Sequence, residues 1–421
     1  MSEVVVTGMG AVTPLGSGVA TVWRRLLAGH SGIRRNDRFD TTDWKCRIAG
    51  LVPGRDVDPE GFDPEAAMEA KELRRNDLFI RYAMAAAAEA LDQAGWRPED
   101  EAARARTATV IATGVGGIPA ISAAAETIRS AGVRRLSPFV VPSFLPNLAA
   151  GQVAIRHGFN GPSGAPTTAC AASAQAIGDA LRMSRAGEAD IALCGGAEAC
   201  VDPIAIGGFT AARALCTGFA DAPERASRPF DADHDGFVLS EGAAMLVIER
   251  LDHALARGAE PLATVAGYGT TTDAHHVTAG WPDGREAARA MRLALASAGL
   301  RPQDIGWINA HATSTPVGDT AELAAIAAVF GPGGGGVPGG STKSATGHML
   351  GAAGAIEAIF SVLALRDGIL PPSLNIEHPM AEAAGFDLLS GGARRGTVRY
   401  VLSNAFGFGG VNAALVFGRR R

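Results

Sequence analysis

The chain has 421 residues, 47% of them hydrophobic and 19% charged, with a formal net charge of −5. That length and apolar content suit two packed domains and exclude a disordered polymer. The acidic balance excludes a nucleic-acid binder held by counterion release, no apolar run approaches the roughly 20 residues of a membrane span, and five irregularly spaced cysteines form neither a disulfide framework nor a C-x-x-C metal pair. A cytoplasmic enzyme is the expectation, with no nucleic-acid or membrane partner.

In chain order, "MSEVVVTGMG" reads as a strand running into a glycine turn, not as a basic-headed signal peptide. "DLFIRYAMAAAAEALDQAG" (77–95) predicts a helix ending at glycine, and "TATVIATGVGG" (107–117) a buried strand. "PTTACAASAQAIGDAL" (166–181) sets Cys170 at the seam between a Thr-rich extended approach and a helix. "ADIALCGGAEA" and "AAMLVIERL" are further buried strands. From residue 263 the pattern starts again: "ATVAGYGTTTDAH" echoes "VVVTGMGAVTPLG" near the start. "DIGWINAHATSTPVGDTAELAAIAAVF" then gives strand, loop and helix, and "GAAGAIEAIFSVLALRDG" a second helix. "GPGGGGVPGG" (331–340) reads as a flexible surface loop. Alternation of this kind predicts a layered α/β architecture, with two similar halves drawn as 1–255 and 256–421.

Several signatures fail on inspection. "DADHDGFVLSEG" begins like a calcium loop at Asp231, Asp233, Asp235 and Gly236, but its twelfth position is Gly242, with Glu241 one place early. Thr342 stands before Lys343 where a phosphate loop needs glycine. The G-x-G pairs at Gly8/Gly10, Gly114/Gly116 and Gly407/Gly409 never complete a dinucleotide fingerprint, and His275–His276 has no ligand spacing around it. No metal or cofactor is expected.

The residues that hold together are a thiol and two imidazoles. Ser, Thr or Asp usually opens a helix; a cysteine there is either a small buried hydrophobe or a nucleophile favoured by backbone N–H groups and the helix dipole. His311 in "NAHATSTPVGD" and His348 in "STKSATGHMLGAAG" sit at strand-to-helix passages, where α/β sheets place reactive groups. Only Lys45, Lys71 and Lys343 are lysines among 38 basic residues, so Lys343 marks a place that wants a compact ammonium.

On these motifs, with "SPFVVPSFLPNLAAGQVAI", "TTACAAS", "GGAEA", "GGFTAARAL", "RPFDADHDGFVLSEGA" and "SNAFGFGGVNAALVF", the chain resembles the elongating (type II) β-ketoacyl-acyl-carrier-protein synthases of the thiolase-like condensing enzymes, nearly end to end. The resemblance implies a five-layered αβαβα fold of two pseudo-repeated halves and a homodimer. It implies decarboxylative Claisen condensation, with Cys170 carrying the acyl chain and His311 and His348 donating to the malonyl thioester oxygen. Lys343 would hold this network, paired with Glu357. Backbone N–H groups of Cys170 and Phe408 would form the oxyanion hole, with Phe408 and Phe209 gating access. Thr313 and Thr315 would bind the phosphopantetheine arm of the acyl-carrier protein, Val115 would floor the acyl pocket, and Lys71, Arg74, Arg75 and Arg213 would dock the carrier. The helix after Cys170 is expected to lower its pKa.

The chain departs from the family pattern at Ala312 in "HAT", at Ser240 and Ala244 in "LSEGAA", and at Ala405 in "SNAFGFGG", which puts the substrate in doubt. A ketosynthase of a type II polyketide or polyene pathway, alone or with a heterodimeric chain-length partner, would carry the same residues. A non-catalytic chain-length subunit would lack Cys170, a degradative thiolase would need a second cysteine at His348, and a cysteine hydrolase would need water activation in place of the second histidine.

Overall fold

The computed structural model describes residues 3–420. Its principal strands, in chain order, are β1 (Val4–Thr13), β2 (Thr107–Ala112), β3 (Ser163–Gly164), β4 (Ile191–Glu198), β5 (Gly242–Arg250), β6 (Ala263–Thr272), β7 (Trp307–Asn309), β8 (Gly339–Gly340), β9 (Tyr400–Gly407) and β10 (Val411–Arg419). The helices that cover them are α1 (Leu78–Ala94), α2 (Ala172–Ala186), α3 (Pro203–Ala211), α4 (Arg285–Ala298), α5 (Pro316–Phe330) and α6 (Ala353–Asp367).

The strand order is β8-β7-β9-β10-β6-β1-β5-β4-β2-β3. Outward from β1, the pairings with β5, β4, β2 and β3 run antiparallel, antiparallel, parallel, parallel. Outward from β6, those with β10, β9, β7 and β8 repeat the same sequence. The two halves join through the pairs Val5–Thr264 and Val6–Ala263. Helix α1 packs on β1, β5 and β4, and α4 on β6 and β10, while α2 and α6 lie against strands of both halves and against each other. This is the αβαβα layering. Consistent with a central layer, α6 is buried from Ala353 through Leu365, the pattern of a helix with no solvent face.

The Gly8/Gly10 pair finds its explanation here. A Cβ on Gly8 or Gly10 of β1 would stand 2.1 and 2.0 Å from the carbonyl oxygens of Ala90 and Ala86 on α1. In the second half, Gly267 and Gly269 of β6 lie equally close to the carbonyls of Ala294 and Ala290 on α4. Glycine lets each helix backbone settle directly onto its strand. The internal echo is thus a repeated packing device.

One expectation is corrected. The stretch 331–340 is not simply a flexible surface loop, because Gly339–Gly340 forms the buried strand β8, parallel to Ile308–Asn309. Gly333, Gly334 and Gly335 turn left-handed, and a Cβ on Gly339 would meet the Phe386 ring at 2.3 Å. The glycines thread the chain under that ring and bring β8 beside the loop that follows β7, where Ala310 N–H donates to the Gly340 carbonyl at 2.9 Å.

Candidate active site

Cys170 lies in a 3₁₀ turn (Ala169–Ala171) that runs into α2, with Ala169 held at φ 49°. His311 follows β7, His348 follows the short helical turn Lys343–Thr346, and Phe408 follows β9. Strand ends and helix starts therefore converge on one cavity of about 530 Å³. Cys170, His311, His348, Val115, Phe209, Phe408, Thr313, Thr315 and Arg213 all line it. Ligand atoms of Cys170, His311 and His348 lie within 4.8 Å of one another.

Each imidazole is held by its loop and by an aromatic edge. The His348 backbone N–H donates to the Val238 carbonyl at 2.8 Å, and the ring meets Phe237 edge-on at 5.3 Å. His311 packs against Phe406 at 5.6 Å. Beneath the His311 loop, two carboxylates of α5 collect backbone N–H groups that the sharp turn leaves unpaired. Glu322 accepts from His311 (2.8 Å) and Ala312 (2.6 Å), and Asp319 from Thr313 (3.0 Å) and Thr315 (3.3 Å). Burial pushes the Glu322 carboxyl up to about 7 despite these donors. Sequence reasoning missed Asp319, Glu322, Phe237 and Phe406. The signal for the first two was the i, i+3 acidic pair in "PVGDTAE" immediately after the histidine loop.

Lys343 and Glu357 form a buried ion pair behind the cavity. Burial raises the Glu357 carboxyl to about 7, opposed by the ammonium. Burial first, then the Lys343 charge, holds both imidazoles well below the ordinary histidine range. Both rings are therefore neutral. Both nitrogens of His348 and Nδ1 of His311 are buried with no partner among the described residues, which leaves donors and acceptors to be met by a ligand.

The thiol corrects an expectation. Burial pushes Cys170 up to about 12, outweighing the Lys343 charge and the N–H groups of Phe408 and Cys170, which favour the thiolate. The helix start does not by itself ionise the thiol, because the desolvated site disfavours any unpaired charge.

Phe209 and Phe408 face each other with ring centroids 6.4 Å apart. The Thr313 and Thr315 hydroxyls bond each other at 3.0 Å. Arg213 reaches the mouth with φ 56°. Lys71, Arg74 and Arg75 are exposed and lie outside the lining; Lys71 pairs with Glu69 at 2.8 Å, and Arg75 covers the Phe139 ring. Ala312, Ser240, Ala244 and Ala405, the departures from the family pattern, are buried and do not line the cavity. Ser240 instead donates to the Thr346 carbonyl at 2.8 Å, under the turn that carries His348.

Cys170, His311 and His348 also compose a donor set for a soft divalent ion. The Lys343 ammonium, which already disfavours a proton on either ring, disfavours a dication for the same reason. In the Asp-rich stretch, Asp231 spends one oxygen on Arg228 and the Asp233 N–H, and the other on the N–H groups of Glu377 and His378.

Residues 1–254 match the family model "Beta-ketoacyl synthase, N-terminal domain", and residues 262–377 its C-terminal domain. The chain belongs to the β-ketoacyl synthase family. It is 48% identical to 3-oxoacyl-[acyl-carrier-protein] synthase 2 of Rhizobium meliloti, over 100% of this chain and 99% of that one. It is 45% identical to the mitochondrial 3-oxoacyl-[acyl-carrier-protein] synthase of Arabidopsis thaliana, over 99% and 93% of the two chains. Among solved structures, a β-ketoacyl synthase from Burkholderia phymatum superposes with a TM-score of 0.91 at 35% identity, and a type II polyketide ketosynthase in complex with its acyl-carrier protein with 0.90 at 30%, each over 100% of both chains.

Proposed function

We propose that this chain condenses an acyl thioester held on Cys170 with malonyl-acyl-carrier protein, giving a 3-oxoacyl-acyl-carrier protein and carbon dioxide in fatty acid elongation. The observation that carries this reading is the meeting of one thiol and two neutral, unpartnered imidazoles within 4.8 Å in an apolar cavity.

In the first half-reaction the thiol sulfur attacks the acyl-carrier thioester. Its proton passes to a neutral imidazole and on to the departing pantetheine thiolate, and the N–H groups of Cys170 and Phe408 receive the tetrahedral oxyanion. In the second, malonyl-carrier loses carbon dioxide, and His311 and His348 donate to its thioester oxygen as enolate charge develops. The enolate carbon then attacks the Cys170 thioester and expels the Cys170 thiolate, which takes a proton from solvent, the one proton the overall condensation consumes. Neutral imidazoles suit this role because they supply N–H donors without adding buried charge. Lys343, balanced by Glu357, supplies a fixed positive field. Thr313 and Thr315 serve the pantetheine arm, Val115 the acyl floor, and Phe209 and Phe408 the gate. Substrates arrive on phosphopantetheine, so no further cofactor enters these steps.

Arg213, with Lys71, Arg74 and Arg75, is the docking set for the acidic carrier. Arg213 at the cavity mouth supports this most directly. A homodimer is supported by exposed Ile121, Ile128, Val133, Val141 and Ile204 and by the short edge strand β3, paired on one side. The division at 255/256 follows the repeated pairing pattern. No helix among the described residues is long and apolar enough to cross a membrane, and a cytoplasmic setting accords with a thiol nucleophile. Elongation is preferred over a polyketide role because identity to the 3-oxoacyl synthases, at 48%, exceeds the 30% to the polyketide ketosynthase. The test is intact-mass analysis of Cys170 with saturated acyl-carriers and with polyketide intermediates. Loading by saturated chains followed by a two-carbon extension supports the reading, and loading by polyketide intermediates alone overturns it.

A further inference from the structure

Glu198 is the last residue of β4 and is fully buried behind the cavity. The reaction steps above do not use it. Its Oε2 accepts the Gly114 N–H at 2.6 Å and the Gly351 N–H at 3.1 Å. Its Oε1 accepts the Thr113 hydroxyl at 3.0 Å, and the Thr113 oxygen in turn accepts the Gly116 N–H at 3.1 Å. One carboxylate thus gathers the whole 113–116 loop around Val115 and joins it to the turn that carries Leu350.

Val115 and Leu350 both line the cavity. Between them the two backbones nearly touch: a Cβ on Gly351 would stand 2.1 Å from the Gly114 nitrogen, and one on Gly114 would stand 2.5 Å from Glu198 Oε2. Leu350 adopts φ 41°, a strained conformation for a branched side chain that persists only where its surroundings hold it. Two wall residues therefore owe their separation to a shared carboxylate.

We propose that Glu198 is a positioning residue that sets the acyl-length limit, by tying the Val115 loop to the Leu350–Gly351 turn and so fixing the distance between two walls of the acyl chamber. This rests on the assignment of Val115 to that chamber. A side chain with two polar atoms at its end reaches both loops at once, one atom taking the Gly114 and Gly351 N–H groups and the other meeting the Thr113 hydroxyl.

The test is the rate of Cys170 acylation by saturated acyl-carriers of graded length. Glu198→Ala releases both loops, so the ratio of kcat/KM for the longest and shortest chains is expected to rise about tenfold, the lower end of what one methylene is worth in an apolar pocket. Glu198→Gln keeps an oxygen for the two N–H groups and is expected to restore the parent ratio, which a merely structural loss would not do. Thr113→Val removes only the Oε1 arm and is expected to shift the ratio in the same direction by less, so the proposal remains testable if Glu198→Ala fails to fold. A parent-like ratio in folded Glu198→Ala, or in Thr113→Val where Glu198→Ala does not fold, overturns the proposal. Val115→Phe is the control for the chamber itself: if it leaves the length profile unchanged, the pocket assignment fails, and the Glu198 proposal with it.

Discussion

The His348 ring stands edge-on to the His311 ring, with centroids 5.4 Å apart and planes at 83°. One nitrogen of each imidazole and the Cys170 sulfur lie within 4.8 Å of one another. Among the described residues no carboxylate bonds to either ring, so neither histidine is tuned to be a strong base, in contrast to a Ser-His-Asp arrangement. The geometry is that of two neutral donors awaiting one developing negative oxygen.

The two half-reactions are therefore expected to separate by mutation. Cys170→Gln abolishes condensation but still releases carbon dioxide from malonyl-carrier, because the amide mimics an acylated thiol and leaves both rings in place. His348→Ala still loads acyl chain, while decarboxylation falls by about 10²-fold or more, the usual loss for one oxyanion-type donor. Labelled carbon dioxide release beside acyl-enzyme mass checks both. Normal decarboxylation by His348→Ala would remove that residue from the proposed role.

Labelling of Cys170 is expected to be strongly pH-dependent. Burial holds the thiol up to about 12, so the reactive thiolate fraction, and the iodoacetamide rate with it, grows about tenfold per pH unit between roughly pH 7 and pH 10. Cys46, Cys194, Cys200 and Cys216 are buried and should remain unlabelled in peptide maps. Because the Lys343 charge lowers the thiol pKa, Lys343→Ala should slow labelling at every pH in that range. A rate that levels off near neutrality would mean a depressed pKa instead.

Removing Lys343 also strands Glu357. Burial already raises that carboxyl to about 7, so the folded protein binds its proton more tightly than the unfolded chain does. Its contribution to stability is therefore fullest below the ordinary carboxylate pKa and is lost as pH rises through 7. Without the ammonium the rise is greater and the slope steeper. Lys343→Ala is expected to cost about 3–5 kcal/mol at pH 8, and less at pH 6, where Glu357 takes up a proton. Urea unfolding at both pH values checks this, and an equal deficit at the two would count against a charged Glu357 partner.

Val115→Phe is expected to shorten the longest accepted acyl chain while sparing short ones, at a stability cost of about 1–3 kcal/mol from overpacking. Competition between acyl-carriers of different length, read by intact mass on Cys170, measures the first, and denaturant unfolding the second.

The local architecture was legible in the chain itself. Apolar runs such as "VVVTGMG" and "AAMLVIERL" and the glycine-ended helices lie where periodicity put them, because strand and helix periods and their stop signals act over a few residues. Motif resemblance named Cys170, His311 and His348, which the fold brings to one cavity, and the pairing of Lys343 with Glu357, while Lys71, Arg74 and Arg75 lie outside that cavity. What tertiary structure decided is everything that depends on burial. Glycines that read as a loose loop at 339–340 became a buried strand because a partner strand and the Phe386 ring enclose them. Asp319 and Glu322 became buried caps for the N–H groups of the loop just before their own helix, and Glu198 became one for loops that arrive from elsewhere in the fold. The Cys170 thiol, whose pKa the helix start was expected to lower, is pushed up instead, because desolvation by the surrounding cavity exceeds the pull of the nearby N–H groups and one ammonium. Periodicity is a short-range property that composition and spacing carry, whereas the cost of a charge is set by every atom that excludes water from it, and that sum exists only once the chain has folded.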